Sequence, residues 1–187
     1  MFRFNVVLTA FLIVVLNTGC SVMAPQYNLS VDNVQLLKNS GTSVVKVGEF
    51  SSKEAPGNAN PISIRGSSLS SPYQNSYANY LAEALKQELT IAKKISPNAI
   101  SEISGVLLKN DIDASVSSVG STTIEARFFV KQNGKVSYDQ VKSIKHEFPS
   151  AFAGAVALPK AIQEYTFAVQ KLLALLYSDA AFVQAIK

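Results

Sequence analysis

The sequence predicts an α+β domain: an antiparallel β-sheet of about four to five strands, two main helices packed on one face, and a short C-terminal helix. Two stretches carry apolar residues at helical spacing, and Asn133-Gly134 separates two alternating stretches, which is the strongest short signal for a β-hairpin. The chain has 187 residues, of which 48% are hydrophobic and 16% charged. This is enough apolar surface for one core, so a single folded domain is expected rather than a disordered chain.

The predicted strands are short runs of β-branched and aromatic residues bounded by Gly, Pro and Ser. They cover residues 43–50, 62–65, 100–114, 124–131 and 136–148. A further short strand is predicted around residues 33–37, and Gly66-Ser67-Ser68 is predicted to turn the chain. Gly105, inside the third strand, predicts a β-bulge.

Both main helices are predicted from an apolar stripe at i, i+3, i+4, i+7. The first covers residues 75–94, with Ser76 as its N-cap and Glu88 as the one polar member of the stripe. The second begins near Pro159, a favoured residue in the first helical turn, and runs to about Tyr177 after an apolar link. Ser178 is predicted to cap the last short helix.

The N-terminus has the pattern of an export signal. Arg3 precedes an apolar run over residues 6–16, whose eleven residues are too few for a membrane-spanning helix, which needs roughly 20. Gly19 and Cys20 follow, and Cys20 is the one cysteine of the chain. A small residue before the first cysteine resembles the lipobox of bacterial lipoproteins; the alternative is an ordinary secretory signal with an incidental buried cysteine.

The lipobox resemblance implies cleavage before Cys20 and acylation of this residue, so that acyl chains anchor the protein without a transmembrane helix. Ser21, rather than Asp, follows the cysteine, which implies sorting to the outer membrane. The expected organisation is a signal peptide over residues 1–19, a lipidated tether over 20–42, and a single periplasmic α+β domain over 43–187.

The composition excludes several kinds of site. One Cys and one His cannot form an internal disulfide or a structural zinc site. The chain contains neither the GxxxxGK[ST] nor the GxGxxG phosphate-binding motif, so no cofactor is expected. The formal net charge of +4 is not concentrated in a basic run, and nucleic acid is not an expected partner of an exported lipoprotein.

Two loop and helix features have a functional and a structural interpretation. The Arg65–Ser68 stretch could cradle a phosphate through backbone amides and the guanidinium, or it could be a plain turn, which is the favoured interpretation. Tyr77 and Tyr80 could form a ligand box, but their helical spacing favours a place in the core.

Three further groups on the predicted strands are weighed in the same way. His146 could act as a general base, but no nucleophile motif accompanies it, so a solvated or edge-strand histidine is favoured. Asp111 and Asp113 share one face and could bind a metal; a solvent-facing strand edge is favoured. A stripe of lysines on the hairpin comprises Lys131, Lys135, Lys142 and Lys145. It could bind anionic lipopolysaccharide or a membrane surface, or it could serve solubility.

Three segments resemble a group of uncharacterised proteobacterial lipoproteins and are similar to the YajG-like lipoproteins. They cover residues 62–89, 104–114 and 152–187, which is most of the mature chain. The resemblance implies a lipoprotein with a helix-on-sheet domain and brings no catalytic residues with it.

The function expected from these observations is non-enzymatic: an accessory or scaffold lipoprotein in cell-envelope assembly or transport. Its expected partners are the membrane, through the acyl chains on Cys20, and an envelope protein. One alternative is a binding module for a lipid, a glycan or a peptidoglycan fragment. Another is an envelope enzyme that uses His146 or Asp111.

Overall fold

A computed structural model describes residues 21–115 and 118–187. The predicted signal peptide and Cys20 lie outside the described residues, so cleavage and lipidation stay predictions. None of the helices within the described part of the chain is long and apolar enough to cross a bilayer.

The described chain forms seven strands and four helices. In order they are β1 (Ser21–Met23), α1 (Val31–Asn39), β2 (Val45–Ser52), β3 (Ile62–Ile64), β4 (Ser67–Ser70), α2 (Tyr77–Ile91), β5 (Ser101–Asp113), β6 (Val119–Gln132), β7 (Lys135–Pro149), α3 (Gly154–Tyr177) and α4 (Ala180–Ala185).

The larger sheet has four strands in the order β2-β5-β6-β7. Strands β5, β6 and β7 are antiparallel, and the β6–β7 hairpin turns at Asn133 and Gly134, whose φ angles are 49° and 79°. This confirms the predicted hairpin, since a tight hairpin turn needs φ > 0 at both central residues. Strand β2, however, pairs in parallel with β5, so the prediction of an antiparallel sheet is wrong at this edge.

A second, three-stranded sheet has the order β1-β4-β3. Its hairpin turns at Arg65 and Gly66, and Ser67 already belongs to β4, so the turn lies one residue earlier than predicted. β1 pairs in parallel with β4, with Ser21 opposite Ser68. Runs this short carry little sequence signal and depend on their partners.

The N-terminal segment differs from its prediction. Residues 33–37, predicted as a strand, lie in helix α1, whose N-cap Ser30 accepts a hydrogen bond from the Asn33 backbone N–H at 3.3 Å. Val34 and Leu37 are buried in the main core together with Tyr27. The stretch predicted as a tether thus contributes a strand and a helix to the domain.

The two main helices are confirmed, with changed ends. α2 starts after the predicted N-cap Ser76, whose side chain accepts from the Asn79 N–H at 3.2 Å. α3 starts at Gly154, so Pro159 lies inside the helix rather than at its start. α4 is capped by the Asp179 side chain, not by Ser178.

The inner face of the four-stranded sheet packs against α2 and α3. Along β6 every second residue from Gly120 to Val130 is buried, whereas its alternate residues are partly or fully exposed. The sheet is therefore covered by helices on one face, as predicted, and its other face is in contact with solvent.

Candidate binding cleft

A cleft of about 810 Å³ separates helix α2 from the first half of β2. Its volume lies within the range of small-ligand sites, which is roughly 300–1,000 Å³. The lining residues come from β2, α2 and two loops: Lys46, Val47, Gly48, Pro72, Tyr73, Gln74, Asn79, Ala82, Glu83, Lys86, Thr90, Ile95, Ser96 and Pro97.

One wall of the cleft is the edge of the sheet. At Val45 this edge is already paired: the Val45 N–H donates to the Lys94 carbonyl at 2.9 Å, and the Ser96 N–H donates to the Val45 carbonyl at 2.9 Å. Because backbone groups of alternate residues in a strand point the same way, the N–H and C=O of Val47 point to the same side. The backbone of the β2 edge thus faces the cleft at Val47.

The opposite wall is a polar row on α2, formed at i, i+3 and i, i+4 spacing by Asn79, Glu83, Lys86 and Thr90. Lys86 lies 4.0 Å from Glu83, and its side chain is 58% exposed. Across the cleft, Lys46 lies 3.5 Å from Glu102, with 41% of its side chain exposed. Ion pairs this exposed are weak, so both ammonium groups can exchange their carboxylate partner for another acceptor.

Tyr73 joins the cleft to the core. Its hydroxyl accepts hydrogen bonds from the Tyr27 N–H at 3.0 Å and from the Gln87 side chain at 3.4 Å. Its ring packs edge-on against Tyr80 with 5.3 Å between centroids. This end of the cleft is therefore a rigid wall.

Tyr77 and Tyr80 are core residues, as favoured by their spacing. They are 1% and 0% exposed, and their hydroxyls pair with the Leu69 carbonyl at 3.0 Å and with Thr166 at 3.1 Å. Burial raises the pKa of Tyr80 to about 12. Neither side chain is open to a ligand.

Glu88, the polar residue in the helical stripe, is fully buried. Its carboxylate accepts from the Tyr27 hydroxyl at 2.5 Å, the Ser30 N–H at 3.1 Å and the Asn33 side chain at 3.1 and 3.3 Å. Burial raises the pKa of Glu88, and these hydrogen bonds oppose the rise. The carboxylate ties the N-terminal segment to α2.

Arg65 does not form a phosphate site. Its guanidinium donates to four backbone carbonyls: to Phe152 at 2.7 Å, to Ser115 at 2.6 Å, to Ala151 at 2.8 Å, and through Nε to Ala114. The planar fork of Arg suits such a set of acceptors. Arg65 therefore clamps the ends of β5 and β7 together, and the favoured prediction of a turn here is confirmed.

His146 lies on the edge strand β7, as predicted, but it is only 9% exposed, so the expectation of a solvated side chain is wrong. Lys171 Nζ donates to His146 Nδ1 at 2.8 Å, and Nε2 pairs with Glu164 at 2.6 Å. Burial would raise the pKa of Glu164, but hydrogen bonds from Lys160 and His146 lower it. Both ring nitrogens are thus hydrogen-bonded to side chains of α3.

Asp111 and Asp113 lie on the open face of β5, although β5 is an inner strand rather than an edge. Asp113 accepts from the Ser115 N–H at 2.9 Å, and this hydrogen bond lowers its pKa. Within residues 21–115 and 118–187, no three His, Cys, Asp or Glu side chains come together as a metal site.

The predicted lysine stripe is not one surface. Lys142 pairs with Asp179 of the α4 cap at 2.6 Å, and Lys145 pairs with Glu147 at 2.8 Å. Burial works against the ionised Asp179, but hydrogen bonds led by that from Lys142 lower its pKa to about 2. Lys131 and Lys135 are exposed. An odd spacing along β7 places Lys142 and Lys145 on opposite faces.

Sequence reasoning missed the cleft because its walls are far apart in the chain. The polar row at i, i+3 and i, i+4 on α2 is visible in the sequence, but it is the ordinary solvent face of an amphipathic helix. The position of the β2 edge opposite this row follows only from the parallel pairing of β2 with β5.

Comparison with solved structures shows the fold. A DUF330 protein from Xanthomonas campestris is 9% identical, with 88% of this chain and 95% of that chain aligned at a TM-score of 0.62. A candidate lipoprotein from Caulobacter crescentus is 12% identical over 83% and 96% of the two chains, with a TM-score of 0.48. A minor lipoprotein from Acinetobacter baumannii is 9% identical over 71% and 91%, with a TM-score of 0.38.

No family model and no curated protein sequence matches the chain. The similarity to the Xanthomonas protein, at 9% identity, shows a shared fold and nothing more specific. The resemblance to YajG-like lipoproteins stays a prediction.

Proposed function

We propose that this protein is a lipid-anchored, non-enzymatic accessory lipoprotein of the outer membrane, which docks an extended segment of an envelope protein in the cleft between α2 and β2. The observation that supports the docking role is the open β2 edge at Val47, opposite the polar row of α2. The lipobox at Cys20 supports the anchor.

An extended peptide suits both walls. A strand added to a sheet edge gains affinity from main-chain hydrogen bonds, and pockets for alternate side chains provide specificity. The segment Lys94–Ser96 already occupies the same edge at Val45, so a bound peptide would continue this pairing at Val47. Lys46 and Lys86 favour acidic or polar side chains on the peptide.

Site-specific photo-crosslinking in membranes tests the docking role. A photoreactive residue in place of Thr90, which lines the cleft, is expected to label one defined extended segment of an envelope protein. The matched control replaces Gln35, an exposed residue on α1 that does not line the cleft. Equal labelling from both positions, or labelling scattered over many proteins, would contradict docking in the cleft.

A cleft-filling variant makes this test specific. Ala82→Trp places a large side chain in the cleft and is expected to abolish the Thr90 crosslink. Ala174→Trp, at a partly buried alanine on α3, changes the same residue type outside the cleft and should leave the crosslink intact.

The second candidate function is a binding module for a lipid, a glycan or a peptidoglycan fragment. The mixed apolar and polar lining and the volume of about 810 Å³ favour it. Native mass spectrometry of gently purified protein is expected to show a retained small molecule, and Ala82→Trp should remove it. A ligand-free mass for the wild type would count against this function.

A further inference from the structure

We propose that the domain lies directly on the bilayer, and that its membrane-facing end is the one at which Phe152 and Val156 are exposed. This inference rests on the proposed lipid anchor at Cys20 and adds the orientation of the domain. The surface in question comprises the Arg65–Gly66 turn, the first residue of β6, and residues 149–156, and is called the apolar end below.

Ser21, the residue that follows the proposed lipidation site, lies at this end. Ser21 is opposite Ser68 in the pairing of β1 with β4, and Ser68 is two residues beyond Gly66 of the turn. Cys20 directly precedes Ser21 in the sequence, so the proposed anchor is attached one residue before β1. Since Ser21 already belongs to a strand, no tether separates the acyl chains from the folded domain.

Arg65 holds residues 151 and 152 of the apolar end next to the Arg65–Gly66 turn. Its guanidinium donates to the carbonyls of Ala151 and Phe152 at 2.8 and 2.7 Å. The start of α3 thus lies against the turn that neighbours Ser21. β6 begins here as well, because Val119 is opposite Pro149 in the β6–β7 pairing.

The exposed side chains at this end are large and apolar. Phe152 is 81% exposed, Val156 61% and Val119 52%. Single exposed apolar residues are ordinary on protein surfaces. Here three of them lie at the same end of the domain as the proposed anchor. This arrangement favours insertion into a lipid interface.

The polar groups of this end are compatible with a lipid interface. Residues 149–159 contain no charged side chain, and the one charged residue in the definition of this end, Arg65, already donates to four backbone carbonyls. The Phe152 and Ala151 carbonyls are already paired with Arg65, which lowers the cost of taking them out of water. Phe152 is therefore positioned to enter the interface.

A fluorescence experiment on the full lipidated chain in phosphatidylethanolamine–phosphatidylglycerol vesicles tests this orientation. Val156→Cys, labelled with an environment-sensitive dye, is expected to shift its emission to the blue on vesicle binding and to be quenched by lipids with a shallow nitroxide. Gln35→Cys, on an exposed position of α1, is the control and should show neither change.

Flotation of the same vesicles separates the two proposals. Flotation of the wild type but not of Cys20→Ala supports the anchor. If the wild type floats while the Val156 dye stays in water, the orientation is wrong and the anchor stands. If the wild type does not float, both fail. A blue shift without vesicles that grows with protein concentration would show an interface between copies, which also overturns the orientation.

Discussion

At the scale of the residue, the buried carboxylate of Glu88 links the N-terminal segment to α2. It accepts four hydrogen bonds from three residues of the segment 27–33. A buried acceptor that satisfies several donors is costly to remove, because the donors stay buried without a partner. The position of α1 on α2 therefore depends on this one side chain.

Replacing Glu88 with Ala is expected to lower the free energy of unfolding by about 3 kcal/mol, since the Tyr27 hydroxyl and the Ser30 N–H lose this acceptor and the Asn33 amide keeps only the Gln170 carbonyl. Urea denaturation measures the effect. Glu83→Ala, on the same helix with a weak and exposed ion pair, should change stability by less than about 0.5 kcal/mol. Similar losses in both variants would contradict the role of Glu88.

The pH dependence of stability follows from the same residue. Burial raises the pKa of Glu88 above its ordinary value of 4.5, so the folded state holds the proton more strongly than the unfolded state. The contribution of Glu88 is therefore fully present below pH 4.5 and is lost as the pH rises through the raised pKa. Glu88→Gln cannot titrate. The stability of the wild type relative to Glu88→Gln is expected to fall with rising pH in this window; a flat difference would be contrary evidence.

Arg65 is the second residue on which distant segments depend. Arg65→Lys keeps the charge but supplies fewer and less well directed donors to the four carbonyls, so a loss of about 2 kcal/mol is expected. Arg127→Lys is the matched control, because Arg127 forms an exposed pair with Asp139 and should lose clearly less stability than Arg65→Lys. Thermal unfolding of both variants compares the two sites. A smaller loss at Arg65 than at Arg127 would refute the clamp.

At the scale of the element, the central strand β5 is shaped by a close approach. Gly105 was predicted to mark a bulge, and the register of β5 against β2 does shift beside it, on β2 between Val47 and Phe50, the partner of Gly105. On β5 itself the irregularity falls between Leu107 and Lys109, in the pairing with β6. A Cβ at Gly105 would come within 2.5 Å of the Phe50 ring. The glycine makes room for the ring of Phe50, its partner on the neighbouring strand β2.

Gly105→Ala is therefore expected to destabilise the domain by about 1–3 kcal/mol through overpacking. The loss should be smaller in the background of Phe50→Leu, because the two residues share the same space. Gly154→Ala, where the nearest atoms are 3.9 Å from the added carbon, should be neutral or stabilising. Additive effects of Gly105→Ala and Phe50→Leu in chemical denaturation would argue against this contact.

At the scale of the whole molecule, the N-terminal segment is part of the core rather than a linker. Tyr27, Val34 and Leu37 are at most 5% exposed and belong to the same cluster as the interior of the large sheet. Through Glu88 the segment also satisfies a buried carboxylate. Removal of this segment would expose apolar surface and leave that charge unpaired.

A non-lipidated chain that begins at Thr42 is thus expected to melt at least about 10 °C below one that begins at Ser21, or to lose its cooperative transition. The melting temperature of a domain of this size falls by roughly 2–4 °C for each kcal/mol of lost stability. Circular dichroism at increasing temperature measures both. Equal melting temperatures would show that the segment is a tether after all.

Local patterns in the sequence determined the α+β class, both main helices and the β6–β7 hairpin. Each of these depends on a period or on a turn residue that acts over a few positions, such as the Ser76 cap or Asn133-Gly134. The lipobox is equally local, and the assignment of Cys20 rests on it alone.

Tertiary structure alone decided the partners of these elements. Residues 33–37 form a helix because its apolar side packs on α2 and α3, and β2 lies parallel to β5 because the chain crosses over through α2 before it returns to the sheet. The cleft, the Arg65 clamp and the apolar end each join residues at least 24 positions apart, from Gly48–Pro72 in the cleft to Arg65–Phe152 in the clamp. Contacts at such separations depend on packing and hydrogen-bond geometry, which no local pattern of residues encodes.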